Sequence, residues 1–339
     1  MTVSLDVRRG SDYAALSRRI KQTGLLDRRP GYYLARIVLV STLYVGSWVA
    51  LALVGSGWWA LAIAAGLAVA YAQVALVAHD LAHRQVFRSQ AAAARVGLVV
   101  GNLGIGMSYG WWMDKHTRHH ANPNHEDEDP DVEPDILVWS QRQAGHAKGV
   151  ARFVGRWQAY LFFPLLLLEG FNLHVASARG LRRSSLKRRT LETVLLYGHF
   201  ALYLGAVFLL LSPGPAIAFI LVHQGLFGLY LGSTFAPNHK GMPTLTDEDD
   251  LDYLRRQVLT SRNIAGRRWL DVFYGGLNYQ IEHHLFPNMP TPNLRKAQPI
   301  VEAYCREIGV SYAATGVVDS YAQALRHLHA AGAPLRSKA

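Results

Sequence analysis

The chain has 339 residues, of which half are hydrophobic and only 17% charged, a balance that excludes an ordinary soluble domain. A mean hydropathy of only +0.07 equally excludes a chain made of spans alone. With 35 Lys and Arg against 24 Asp and Glu the net charge is +11, which suits anionic lipid, nucleic acid or acidic protein partners, and the single cysteine, Cys305, excludes an internal disulfide or a metal site built from thiolates alone.

The first 30 residues mix Asp6, Arg8, Arg9, Asp12, Arg18, Arg19 and Lys21 without an apolar core, so no signal peptide is expected and residues 1–36 read as a polar cytosolic segment. Residues 37–54 and 58–78 are uncharged and separated by Gly55-Ser56-Gly57; each is close to the roughly 20 residues that a helix needs to cross hydrocarbon. A second such pair covers 193–211 and 216–235, broken by Ser212-Pro213-Gly214-Pro215. These predict two transmembrane hairpins. All the Lys and Arg lie in 1–36, 79–190 and 236–339, so both termini are expected on the cytoplasmic side, with an even number of spans. Two shorter apolar stretches, 96–109 and 160–168, are interrupted by Gly or Pro and read as buried or interfacial helices, with a third hairpin as the alternative. Arg179, Arg182, Arg183, Lys187, Arg188 and Arg189 precede the third span as a topology determinant that would also meet anionic headgroups. Residues 301–339 read as a small helical cytosolic tail.

Histidines mark the chemistry. His79-Asp80-Leu81-Ala82-His83 closes the second span with two imidazoles one helical turn apart. His116-Thr117-Arg118-His119-His120 places three within about one turn, and Gln280-Ile281-Glu282-His283-His284 repeats the adjacent pair. All three clusters lie in segments assigned to the cytoplasm. Imidazoles with few obligate carboxylates suit iron, copper or zinc, and their number exceeds what one metal accepts. Asp80 stands where a zinc hydrolase would carry the glutamate of H-E-x-x-H, which excludes that class.

HDLAH, HTRHH and QIEHH, in this order and spacing, resemble the three histidine boxes of the membrane fatty acid desaturases. Trp111-Trp112, Asp129-Pro130-Asp131, Leu277-Asn278-Tyr279 and Leu285-Phe286-Pro287 resemble the acyl-CoA and acyl-lipid branch that includes the front-end and linoleoyl-type enzymes. The resemblance runs from about residue 34 to 300 and implies an all-α membrane fold with four spans and a cytosolic cap, over a desaturase domain at 37–300. It implies two non-haem irons, with O2 as co-substrate, and an acyl-CoA or acyl-lipid substrate that gains a cis double bond. The implied metal ligands are His79, His83, His116, His119, His120, His283 and His284, with His239 as an eighth. Gln280 stands where other desaturases carry a histidine and reads as a weak ligand or as a group ordering a neighbouring imidazole. Asp129 and Asp131 are candidates to accept hydrogen bonds from ligand rings. His199 and His223 lie inside spans as neutral rings bonded to neighbouring helices, and His125, His146, His174, His327 and His329 read as loop, surface or packing residues.

The 36 residues before the first span are too few for a fused haem-binding domain, so electrons are expected from a separate ferredoxin or flavin reductase, which the basic charge would attract. A lipid hydroxylase using the same histidines is the alternative reaction. A metal transporter fits less well, because its ligands would lie near the bilayer midplane rather than at span ends.

Overall fold

The computed structural model describes residues 11–183 and 186–336, so the acidic and basic residues of the first ten positions lie outside the described residues. Among the described residues the fold is helical, apart from one two-stranded parallel pair, β1 (Asn263–Ala265) and β2 (Ala314–Gly316). The chain divides into two compact units, residues 29–117 with 156–236 and residues 1–28 with 118–155 and 237–339.

The first unit is built on long apolar helices. Pro30 opens α2 (Pro30–Val54), where its missing N–H costs no bond, and Gly55 ends it at φ 64°, a conformation costly for other residues. Then follow α3 (Ala60–Ala82), α4 (Gln90–Leu98) with a π-helical continuation at Val99–Gly104, and α5 (Tyr109–Ala121). The short α6 (Gln141–His146) precedes α7 (Gly149–Gly180), α8 (Arg189–Leu210) and α9 (Pro213–His239). The four expected spans overlap α2, α3, α8 and α9, with Trp58 and Trp59 preceding α3 and Leu211 just past the end of α8. Five helices are long and apolar enough to cross a membrane, because α7 meets the same requirement. The 160–168 stretch is therefore the middle of a continuous helix. Pro164 does not end it, and Gly170 and Gly228 let the backbones of α7 and α9 meet where a Cβ on either would clash. The 96–109 stretch ends α4 and its continuation, after which the chain turns by 114° into α5, with Gly106 at φ 67° in the corner.

Leu51, Leu67, Tyr71, Val207, Phe219 and Phe227 form the core of this unit. Equally apolar residues such as Leu39, Leu53, Leu202 and Leu209 face outward. A helix apolar on all faces yet largely uncovered by protein is one solvated by lipid, so the chain is a membrane protein.

In the second unit, α1 (Ser11–Gln22), α10 (Tyr253–Leu259), α11 (Arg268–Phe273), α12 (Gln280–Leu285), α13 (Thr291–Glu307), α14 (Val317–Ala331) and α15 (Ala333–Arg336) supply most of the structure. Leu16, Ile20, Leu254, Val258, Ile281, Leu285, Val301 and Cys305 share one core, which places α12 and its histidines in a fully buried setting. The expected boundary at residue 300 falls inside α13, whose two halves both line this core.

Candidate metal centre

In the first unit the C-terminal end of α3 carries His79, with His83 as its C-cap residue, and α5 carries His116. Ligand atoms of these three rings lie within 4.8 Å of one another. The Nε2 atoms of His83 and His116 are 2.7 Å apart, and the His79 ring centroid is 4.7 Å from His83 and 4.9 Å from His116. Trp112, one turn before His116, stacks on its ring at 4.5 Å. Arg36 Nη1 donates to Asp80 Oδ2 at 2.7 Å, a buried pair that orients the residue between the two box histidines. At the N-terminus of α5, Glu192 accepts from Ser108 Oγ at 2.7 Å and from the Gly110 N–H at 3.0 Å, so a buried carboxylate fixes the helix end with which its dipole interacts favourably.

In the second unit His119, His239 and His284 place ligand atoms within 4.8 Å of one another. Each ring has its Nδ1 committed to an oxygen. His119 Nδ1 donates to Asp129 Oδ2 at 2.9 Å, His239 Nδ1 to the Thr260 carbonyl at 3.1 Å, and His284 Nδ1 to Gln257 Oε1 at 2.8 Å. A neutral imidazole that donates from Nδ1 keeps its lone pair on Nε2, the form that binds metal. The Nε2 of His284 is buried and has no hydrogen-bond partner, as a ligand atom would be, and burial followed by the neighbouring imidazoles holds this ring well below the usual histidine range. At His119 burial acts against the charged ring, yet Asp129 and then Asp131 outweigh it and raise its pKa. Asp129 is itself held by the backbone N–H groups of Asn124 and Asp131, at 2.8 and 2.9 Å. His120 and His283 bring their Nε2 atoms to 3.2 Å, close to the roughly 3.0–3.4 Å that separates neighbouring imidazole nitrogens on one metal with bonds near 2.1 Å. The donor set therefore fits a transition metal.

Gln280 is oriented by its neighbours. Asn238 Nδ2 donates to the Leu277 carbonyl at 3.0 Å and to Gln280 Oε1 at 3.1 Å, which turns the Gln280 amide N–H groups toward His239 Nε2, 2.9 Å away. With His239 Nδ1 bonded to the Thr260 carbonyl, this N–H falls on the nitrogen that a metal would use, so a metal held by His239 takes the place of this contact. Glu282, in the same box, accepts from Tyr312 and Asn263, while burial pushes its carboxyl up to about 7.

The remaining histidines stand apart from these sets. His199 bonds the Leu103 carbonyl, His223 pairs with Tyr203, and His174 lies between the Gly106 carbonyl and Gln224. His125 faces Asp247 at 3.4 Å, and His146 bonds the Arg142 carbonyl. Several supporting residues have no sequence signature: Gln257, Thr260, Glu192 and Arg262. The Arg262 guanidinium is fully buried and donates to the carbonyls of Pro237 and Lys240 and to Gln323, bracketing His239 from both sides; burial lowers its pKa to about 10.

The fatty acid desaturase family model matches residues 56–316, which include every one of these rings. The chain belongs to that family. Family members are oxidoreductases acting on fatty acyl chains, and curated relatives agree. An acyl-lipid (9-3)-desaturase of Physcomitrium patens is 32% identical over 79% of this chain and 52% of its own length, so the chain spans about half of that protein. A Delta(6)-fatty-acid desaturase, fat-3, of Caenorhabditis elegans is 27% identical over all of this chain and 79% of its own length. Fatty acid desaturase 3 of Bos taurus is 29% identical over 95% and 73%. The resemblance seen in the boxes thus extends to the desaturase family as a whole and to relatives with front-end positions in their names.

Proposed function

We propose that the chain is a desaturase that uses O2 and two external electrons to introduce a cis double bond into the acyl chain of an acyl-CoA or acyl-lipid. One iron would be held by His119, His239 and His284 and another by His79, His83 and His116, with His120 and His283 completing the ligands. The observation that carries this reading is the hydrogen-bonding of the second set: three buried rings, each donating from Nδ1 to an oxygen, converge through Nε2. Bound iron would supply the oxidising power that removes two hydrogens from adjacent methylene carbons.

The chain's own residues hold and shield that chemistry. Asp129, Gln257 and the Thr260 carbonyl keep a proton on the Nδ1 of their histidines, which fixes the tautomer and ring orientation. Arg262 secures the backbone on either side of His239. Burial of α12 keeps water from the rings it carries. The charge distribution supports four spans, at 37–54, 58–78, 193–211 and 216–235, in a desaturase domain at 37–300, with both termini and the histidines on the cytoplasmic side. The net charge of +11 supports an acidic ferredoxin or a flavin reductase as electron donor.

The test is mass spectrometry of fatty acids from a host that co-expresses the chain with a ferredoxin and its reductase, beside a His283→Ala control. A new double bond absent from the control is the expected result. A hydroxylated chain, or purified protein that holds zinc and no iron, would overturn the reading.

A further inference from the structure

The second unit exposes an apolar corner that the metal centre does not use. The parallel pair sets Ala265 opposite Gly316, so the chain leaves β1 and β2 at the same end and enters α11 and α14 side by side. Tyr274, which caps α11, is buried, and Tyr321 of α14 is among the groups that raise its pKa after burial itself. On the outer side of this corner Trp269 is 61% exposed, Val272 66% and Val318 80%. Arg267 and Arg268, both exposed, immediately precede Trp269. Of the nearby acids, Asp271 is paired with Arg295 at 3.2 Å, leaving the exposed Asp319 as the counterweight to two arginines.

A large indole and two valines turned to water lose the hydrophobic stabilisation that burial would give them. Tryptophan with adjacent arginine is the composition of a surface lying in the polar boundary of a bilayer, the ring among the headgroups and the guanidinium groups on phosphate. We propose that this corner is a bilayer-contact surface, in which Trp269, Val272 and Val318 enter the boundary layer of the membrane that holds the spans while Arg267 and Arg268 meet anionic headgroups. A bilayer is favoured over a passing acidic protein because the chain's own spans already hold it at high effective concentration, and because the two valines offer apolar surface without polar specificity. The inference rests on the spans lying in a bilayer and not on the reaction.

Site-directed spin labelling tests it on the full chain in nanodiscs of equal parts phosphatidylcholine and phosphatidylglycerol. Cys305 is buried and burial pushes its thiol up to about 12, so labels go to introduced cysteines. Trp269→Cys, Val272→Cys and Val318→Cys are labelled one at a time, with Asp247→Cys, at a side chain 89% exposed in an acidic loop, as the reference. The expected result is a ratio of accessibility to O2 over accessibility to a water-soluble nickel chelate several-fold higher at the three corner positions than at position 247. Adding Arg267→Gln and Arg268→Gln should lower that ratio, and omitting phosphatidylglycerol should have the same effect. A ratio equal to that at position 247 at all three sites would overturn the proposal, as would shielding that develops only when an acidic ferredoxin is added.

Discussion

Around His79, His83 and His116 the contacts include Trp112, stacked 4.5 Å from His116, and the Asp80 carboxylate, 3.6 Å from His79 Nδ1. Around His119, His239 and His284 they are a carboxylate, a carbonyl and an amide oxygen, each taking an Nδ1 proton. The contrast separates two ways of preparing an imidazole for a metal. Stacking fixes the plane of a ring and leaves its tautomer open, whereas an oxygen acceptor fixes both and raises the basicity of the free nitrogen. Changes at Asp129, Gln257 or Thr260, which never touch the metal, are expected to reach the second set through these Nδ1 protons.

The largest effect is expected from removing a ligand. His284→Ala should abolish product and lower bound iron by roughly half, measured by elemental analysis of purified protein. Loss of all the iron would mean that the two sets do not bind separately, and full retention would mean that His284 is not a required ligand. Next comes Asp129→Asn, which removes the charge facing His119 and should weaken metal retention about 10- to 100-fold in a chelator titration. Trp112→Leu should change that titration far less, and equal losses from the two variants would erase the contrast. Gln257→Leu leaves a buried Nδ1–H without its acceptor and should cost about 1–3 kcal/mol in unfolding free energy, with Gln257→Glu restoring most of it. Smallest is the loss of stacking in Trp112→Leu, about 0.5–1.5 kcal/mol beyond the lost buried area, read from the unfolding midpoint in detergent.

The convergent box histidines were legible in the sequence because they are local: pairs at i, i+3 or i+4 on a helix, or side by side, carry their spacing with them. His239 was legible only through resemblance, since nothing near Pro237-Asn238-His239 repeats. The groups that hold the ligands were not legible. Gln257 meets His284 from 27 residues away, and Glu192 reaches Ser108 across 84, with no periodicity to announce either contact. The role of Gln280 was open between ligand and support, and its amide is oriented by Asn238, 42 residues away. The apolar length of α7 was obscured by Arg152, Arg156, Pro164 and Glu169, which divide its pattern without dividing the helix. Close packing of Gly170 against α9 is a property of two helices together and leaves no mark on either alone.

The three-residue pairing of β1 with β2 closes a loop from residue 266 to 313, and the third histidine box lies within it. Asn263 of β1 binds the Ile281 N–H and Glu282, tying the base of the loop to the start of α12. During synthesis β1 and the box precede β2, so the pairing at the base of this loop forms only after the strand at Ala314–Gly316 has emerged. A nascent chain halted before residue 314 would thus carry all three histidine boxes and still lack the strand pair that closes the loop around the last one.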